Sequence, residues 1–304
     1  MDADRGNADW EREQAHILSV RAAVVGHVEW VEFIKVSRVP APGDIAHGED
    51  AYALPAGGGA VAAVQLARLA DRTTFFTVFG DDELGHRAAA ELTAMGLEVR
   101  GAFRGSQRRA VTFIDDAAER TIVVLGERSQ PEIGDALGWE DLADFDAVYV
   151  TAADEIVIHN TRRAGHVLAT ARIMPQLQAA GVRLDALVGS ANDPAERYGP
   201  GDLSPEPHLV VRTEGPKGGT WQRPGSARRR YGPGKRSSAL GDAYGCGDSF
   251  AAALTFCLAR GDAPAAAVSF ASDCGAAVAG ARGPYEGQVT LHPLSPGGSS
   301  SSKD

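Results

Sequence analysis

Residues 242–250 read DAYGCGDSF, and an alanine-rich apolar run, AAALTFCLARG, follows to Gly261. Gly245, Cys246 and Gly247 are small, and Asp248 stands at the mouth of the run. The segment therefore reads as a buried helix entered through glycines. A helix N-terminus presents unpaired N–H groups and a partial positive charge, and it attracts anions. An acid there has two readings. Asp248 caps the helix, or it is a base held beside a bound phosphate.

The chain has 304 residues, enough for one large α/β domain with a smaller appendage and a sizeable core. Hydrophobic residues make up 44% and charged residues 23%, the balance of a soluble globular protein. A net charge of −10 argues against nucleic acid as a partner, because its binders are normally basic. The three cysteines, Cys246, Cys257 and Cys274, are odd in number, and no two stand at metal-ligand spacing. That pattern fits a reducing, cytoplasmic compartment better than a disulfide framework. The opening MDADRGNADWEREQ is acidic and polar, unlike a signal peptide. No apolar run approaches the ~20 residues that span a bilayer, so no membrane partner is expected.

Residues 1–20 read as a polar extension, and 291–304, which include SPGGSSSSKD, as a flexible tail. RAAVVGHVEW (21–30) contains a buried strand that stops at Gly26. Val61, Val64, Leu66 and Leu69 give residues 60–70 a helical period, and TTFFTVFG (73–80) is a buried strand. Asp82 caps a helix that runs through Met95 and stops at Gly96. DAVYVTA (146–152), RLDALVGS (183–190) and HLVVRTEG (208–215) read as strands. Residues 162–181, 193–199, 248–260 and 263–281 read as helices, and SARRRYGPGKR (226–236) as a solvated loop. Strands alternating with helices imply a mostly parallel central sheet in a three-layer α/β/α domain over residues 21–290. Two β-rich excursions, 33–54 and 98–128, fall outside that rhythm and together suggest a small discontinuous β lid. The second contains a hairpin with its turn near Asp116 and Ala117.

In such sheets, ligands bind beyond the C-terminal strand ends. Gly57–Gly59, GDDELG (80–85), NDPAE (192–196), RTEGPKGG (212–219) and GCGD (245–248) fall there. None is a Walker A loop, and there is no His-Glu-x-x-His, paired-cysteine zinc site or Gly-x-Ser-x-Gly elbow. Residues 57–62 contain a Gly-x-Gly-x-x-Ala match with Asp81 downstream, the pattern of a dinucleotide-dependent oxidoreductase. Pro55 stands where the strand before that fingerprint belongs.

The order of these segments resembles the ribokinase family of carbohydrate kinases, also called the PfkB family. Residues 242–250 resemble its C-terminal signature, Asp-Thr-Thr-Gly-Ala-Gly-Asp-Ser-Phe, and PAGGGAVAAVQLARLADRTTFFTVFGDDELG (55–85) its N-terminal one. Thr213-Glu214-Gly215-Pro216-Lys217-Gly218 resembles the family's nucleotide stretch. The resemblance implies a ribokinase-like fold and transfer of the γ-phosphate of ATP to a hydroxyl of a sugar, nucleoside or related polyol. It implies that Asp248 is the general base and that the N–H groups of Gly245, Cys246 and Gly247 form an anion hole. Thr213, Gly215 and Gly218 then line the ATP site. Asp193 and Glu196 match the family's Asn-x-x-Glu, tied indirectly to Mg²⁺, with an aspartate in place of the asparagine. Asp242 matches its aspartate for a monovalent cation such as K⁺.

On the substrate side the chain departs from the family. Val31 and Val61 stand where an aspartate and an asparagine usually grip sugar hydroxyls. His27, Glu29 and Trp30 are the nearby replacements, beside Gly57, Gly58 and Gly59, and Arg108 and Arg109 reach toward an anionic acceptor from the lid. These losses open a second reading, a ribokinase-fold binding or regulatory protein without turnover. The retained Gly-x-Gly-Asp opposes it. In the resembled family lid strands can pair between subunits, so the resemblance implies a homodimer through the lid as an expectation.

Overall fold

The computed structural model describes residues 19–235 and 241–291. The expected N-terminal extension and C-terminal tail lie almost wholly outside the described residues.

Strand β1 (Arg21–Val25) is the centre of the fold. Its four residues after Arg21 are fully buried, and it pairs in parallel with β4 (Arg72–Phe79) and β8 (Ala147–Val150). Beyond β4 lies β5 (Glu98–Phe103). Beyond β8 lie β9 (His166–Thr170), β10 (Ala186–Ser190) and β11 (Val210–Thr213), all parallel. The antiparallel strands β12 (Gly219–Gln222) and β13 (Arg229–Tyr231) close that edge. The helices are α1 (Gly58–Leu69), α2 (Glu83–Ala94), α3 (Glu155–Thr161), α4 (Met174–Ala180), α5 (Cys246–Ala259) and α6 (Pro264–Val278).

A parallel strand covered on both faces must be apolar at every position. Strand β1 shows this directly. Ala22 and Val24 join one core, with Leu66 of α1, Leu92 of α2, Leu254 of α5 and Val268 of α6. Ala23 and Val25 join a second core, with Ile158 of α3 and Leu177 of α4. No helix among the described residues is long and apolar enough to cross a membrane.

A second, four-stranded sheet has the order β3-β2-β6-β7, from β2 (Glu29–Lys35), β3 (Asp50–Ala56), β6 (Arg109–Ile114) and β7 (Arg120–Leu125). Strands β2 and β6, far apart in sequence, pair in parallel at its middle. In the β6–β7 turn the Asp115 carboxylate accepts the N–H groups of Ala117 and Glu119, and Ala118 takes a left-handed φ of 61°.

Three segments differ from the sequence reading. Residues 98–103 do not join the small sheet but extend the large one, where Gly101 packs under the Phe79 ring. An alternating, half-exposed stretch fits the edge of either sheet. Residues 162–181 are not one helix: strand β9 lies inside them, flanked by α3 and α4. His166–Thr170 is an internal parallel strand, and its run of buried apolar residues has no period to distinguish it from a buried helix. Arg229–Tyr231, expected in a solvated loop, form the edge strand β13, although both arginines stay exposed.

Candidate active site

The parallel strands end at one edge of the large sheet, and α1 begins against the exit of β1. Glycine permits that contact. A side chain on Gly26 would meet the Thr151 hydroxyl at 2.1 Å, and one on Gly59 the His27 carbonyl at 2.5 Å.

Helix α5 starts at the same edge. Gly245, with φ 81°, is its N-cap residue, and no side chain caps the helix. A side chain at Gly245 would lie 2.9 Å from Val61, whereas the space around Gly247 is open. Asp248 is therefore not the cap. It sits in the first turn and makes no hydrogen bond or ion pair with any described residue. It opens partly to the cleft, and the protein packed around it pushes its carboxyl up to about 6. Nearby Arg120 and Arg172 oppose that rise, while Glu196 and Glu29 add to it.

Asp248 faces the start of α1. A side chain on Gly58 would lie 2.8 Å from its Oδ1, and one on Gly57 would lie 3.3 Å from both His27 and Glu29. The Gly57 N–H donates to the Tyr244 hydroxyl at 3.2 Å, which ties α1 to the loop before α5. Gly57, Gly58, Gly59, His27, Glu29 and Asp248 thus form one group. His27 is buried, and burial together with Arg128, Arg108 and Arg172 lowers its pKa to about 3, so its ring is neutral. Its Nδ1 is enclosed without a partner. Glu29 is 7% exposed, with Arg108 Nε 2.8 Å from its Oε1. Burial raises its pKa, and Arg108 and Arg128 lower it.

On the other side of the α5 N-terminus, Thr213, Gly215, Gly218, Ala243, Cys246 and Gly247 line a cavity of ≈ 320 Å³. Gly218 has φ 81°, and a side chain there would press on the Tyr231 carbonyl at 2.4 Å. Residues 117–119 of the small-sheet hairpin also border the cavity. Arg120 donates to the Ala243 carbonyl, and its guanidinium lies 5.9 Å from the centre of the Tyr244 ring.

The residues matched to cation roles are already engaged. Asp193 accepts from the Ala195 N–H and from Arg172. Glu196 Oε1 accepts from Arg172, and Oε2 from the Ser190 N–H at 2.7 Å. Asp242 is buried, and its oxygens accept the N–H groups of Tyr244 and Gly283, both at 2.8 Å. It ties the loop before α5 to the loop after α6. Each of these six oxygens accepts a hydrogen bond, and no group of three ligating side chains occurs among the described residues. With their oxygens engaged by protein donors, Asp193 and Glu196 would hold Mg²⁺ indirectly, through water or a nucleotide phosphate.

Arg109 stands apart from the group: it pairs with Glu32 at 2.5 Å, and its side chain is 44% exposed. Its neighbour Arg108 reaches Glu29 instead. Sequence reasoning missed Arg120, Arg128 and Arg172, which belong to no motif. For Arg172 a signal existed, because it follows the end of a strand. Reading residues 162–181 as one helix hid it.

The model of the pfkB family of carbohydrate kinases matches residues 20–197 and 183–291. The chain belongs to that family, and it is a phosphotransferase with an alcohol group as acceptor. Among solved structures, the ribokinase of Thermotoga maritima superposes with TM-score 0.72 at 18% identity, covering 90% of this chain and 96% of its own. A microbiome-derived acarbose kinase superposes with TM-score 0.75 at 19% identity, covering 87% and 94%. The Arabidopsis thaliana ribokinase complexed with ribose and ATP gives 0.64 at 16% identity, covering 86% and 93%. These likenesses bear out the ribokinase-like fold read from residues 242–250 and the segment order. No curated protein sequence matches the chain.

The dinucleotide fingerprint at residues 57–62 does not have its structural context. The strand before it, β3, contains Pro55 but belongs to the small sheet and runs antiparallel to β2. The fingerprint needs a parallel βαβ unit.

Proposed function

We propose that the protein transfers the γ-phosphate of ATP to a hydroxyl of a sugar, nucleoside or related polyol. One observation carries this reading. The N-terminus of α5 stands between a cavity of ≈ 320 Å³, within ligand-pocket size, and a half-buried acid without a protein partner. The ATP held by the Arabidopsis ribokinase supports the choice of nucleotide.

Thr213, Gly215 and Gly218 hold the nucleotide in the cavity. The N–H groups of Gly245, Cys246 and Gly247 receive the transferring phosphoryl group, whose charge the helix terminus stabilises. Asp248 accepts the proton of the acceptor hydroxyl as that oxygen bonds to phosphorus. The bond to the leaving ADP oxygen breaks. A pKa of about 6 suits a general base, because the carboxylate is ionised at pH 7 yet more basic than an ordinary aspartate. The neutral His27 and Glu29 contact further groups of the acceptor. Arg120 and Arg172 place positive charge on either side of the transfer point, and Asp193 and Glu196 hold Arg172 there.

The edge strand β7 exposes Ile122, Val123, Val124 and Leu125 by 41–49%, which supports a homodimer joined through the small sheets. Sedimentation of the purified chain as a monomer would remove that part of the proposal.

The decisive experiment is ATP turnover with Mg²⁺ and K⁺ over a panel of sugars, sugar acids, sugar phosphates and nucleosides, with Asp248→Asn alongside. An acceptor that stimulates the wild type and not the variant supports the reading. A chain that neither turns over ATP nor is stabilised by it overturns the reading.

A further inference from the structure

Two arginines beside the acceptor group have no protein partner for their terminal nitrogens. Arg108 has a side chain 16% exposed. Its Nε is 2.8 Å from Glu29 Oε1, yet that enclosed N–H is not aligned on any acceptor. Its two terminal nitrogens make no hydrogen bond to any described residue. Arg128 makes neither a hydrogen bond nor an ion pair with any described residue. It lies within electrostatic reach of His27, Glu29, Arg108 and Arg172. The chain carrying it leaves the small sheet beside Arg108, since a side chain on Gly126 would lie 3.9 Å from Arg108 Cα.

The neighbouring arginines differ in this respect. Arg172 is held by Asp193 and Glu196, Arg109 by Glu32, Arg104 by Asp135, and Arg120 by a carbonyl. Around the acceptor group, His27 is neutral and Glu29 balances one arginine. Asp248 offsets the second arginine in overall charge, yet the terminal nitrogens of neither guanidinium hydrogen-bond to a carboxylate of any described residue. Guanidinium forks pair most strongly with planar or tetrahedral anions, often in two parallel hydrogen bonds. Val31 and Val61 are fully buried apolar residues and offer no polar group to a sugar hydroxyl.

We propose that the acceptor carries a phosphate or carboxylate, bound by Arg108 and Arg128, away from the hydroxyl that Asp248 activates. The substrate is then a sugar acid or a sugar phosphate rather than a neutral sugar or nucleoside. This inference rests on the kinase reading and deepens it. The competing source of the same chemistry is the γ-phosphate of ATP.

The test titrates the full chain by calorimetry with gluconate, glucose 6-phosphate, glucose and ATP as separate probes. Arg128→Gln carries the test, because Arg108→Gln strips the buried Glu29 of its partner and can unfold the protein. At least one of the two anionic probes is expected to bind more tightly than glucose, and to weaken by about tenfold or more in Arg128→Gln, with ATP unchanged. Arg128→Lys, which keeps the charge without the fork, should recover part of that loss. Equal binding of glucose and both anions overturns the inference while leaving ATP binding, and with it the kinase reading, intact. Weakened ATP with unaltered anionic probes also overturns it and assigns the arginines to the nucleotide. Failure of ATP itself to bind defeats the kinase reading instead.

Discussion

The two halves of the site are built from different materials. On the nucleotide side the structure offers backbone: the glycine-entered start of α5, and Gly215 and Gly218 at positive φ. On the acceptor side it offers side chains: His27, Glu29, Arg108 and Arg128, drawn from β2 and from loops beside β1, β6 and β7. Backbone N–H groups bind phosphate whatever the neighbouring residues are, so that half needs glycine at few places. Side chains set the shape and charge of the acceptor, so that half can change while the fold stays the same.

The sharpest break in this comparison is at Asp248, which belongs to both halves. Asp248→Asn should reduce turnover on the acceptor by about a thousandfold, the usual worth of a well-placed general base. The wild-type rate should fall as pH drops through about 6, where the carboxyl takes up its proton. Its raised pKa also costs stability. The carboxyl contributes most below its ordinary value of 3.8, and that contribution is lost as pH rises through about 6. The asparagine variant should therefore be more stable than the wild type at pH 7, by about 3 kcal/mol at most, and lose that advantage near pH 4. Thermal melts at the two pH values measure this.

Next in size is Glu29→Ala. It leaves the Arg108 guanidinium in a site where the pair is 16% and 9% exposed. A loss of about 3 kcal/mol in denaturant unfolding is expected, as for one partner removed from a buried pair. Gly245→Ala should follow, with a loss of about 2 kcal/mol. It places a β-carbon at φ 81° and 2.9 Å from Val61. It should also weaken ATP in a thermal-shift titration, whereas Glu29→Ala should leave ATP affinity unchanged in whatever fraction is folded. The smallest effect belongs to Arg109→Ala. Its pair with Glu32 is on the surface and should be worth less than about 0.5 kcal/mol, with no change in the affinity of any acceptor. An acceptor effect at Arg109 as large as at Arg128 would erase the distinction between the two faces of the small sheet.

The same division explains what could be read in advance. Residues 242–250 and the order of the glycine segments were legible because a backbone site demands glycine at fixed spacing, and glycine is visible in a sequence. Asp82 at the start of α2 and Gly96 after its end were legible for a related reason. The Asp82 side chain accepts the Gly85 N–H, and Gly96 has φ 89°, both local demands. Strand β9 was not legible, since an internal parallel strand has no periodicity. Arg108 and Arg109 are adjacent, and nothing local says which one joins the site. The alternation of side chains across the small sheet decides it.

The sequence alone determined the class of domain and the location of its phosphate-binding helix start, because both follow from near-neighbour constraints: apolar runs, caps and glycines. Only the tertiary structure decided that residues 98–103 complete the large sheet, that Asp248 caps nothing and faces Gly58, that Arg120 and Arg172 lie near it, and that Arg108 and Arg128 lie by His27 and Glu29. Those relations join residues up to about 200 positions apart. They arise from sheet register and helix docking, which depend on which buried surfaces fit together.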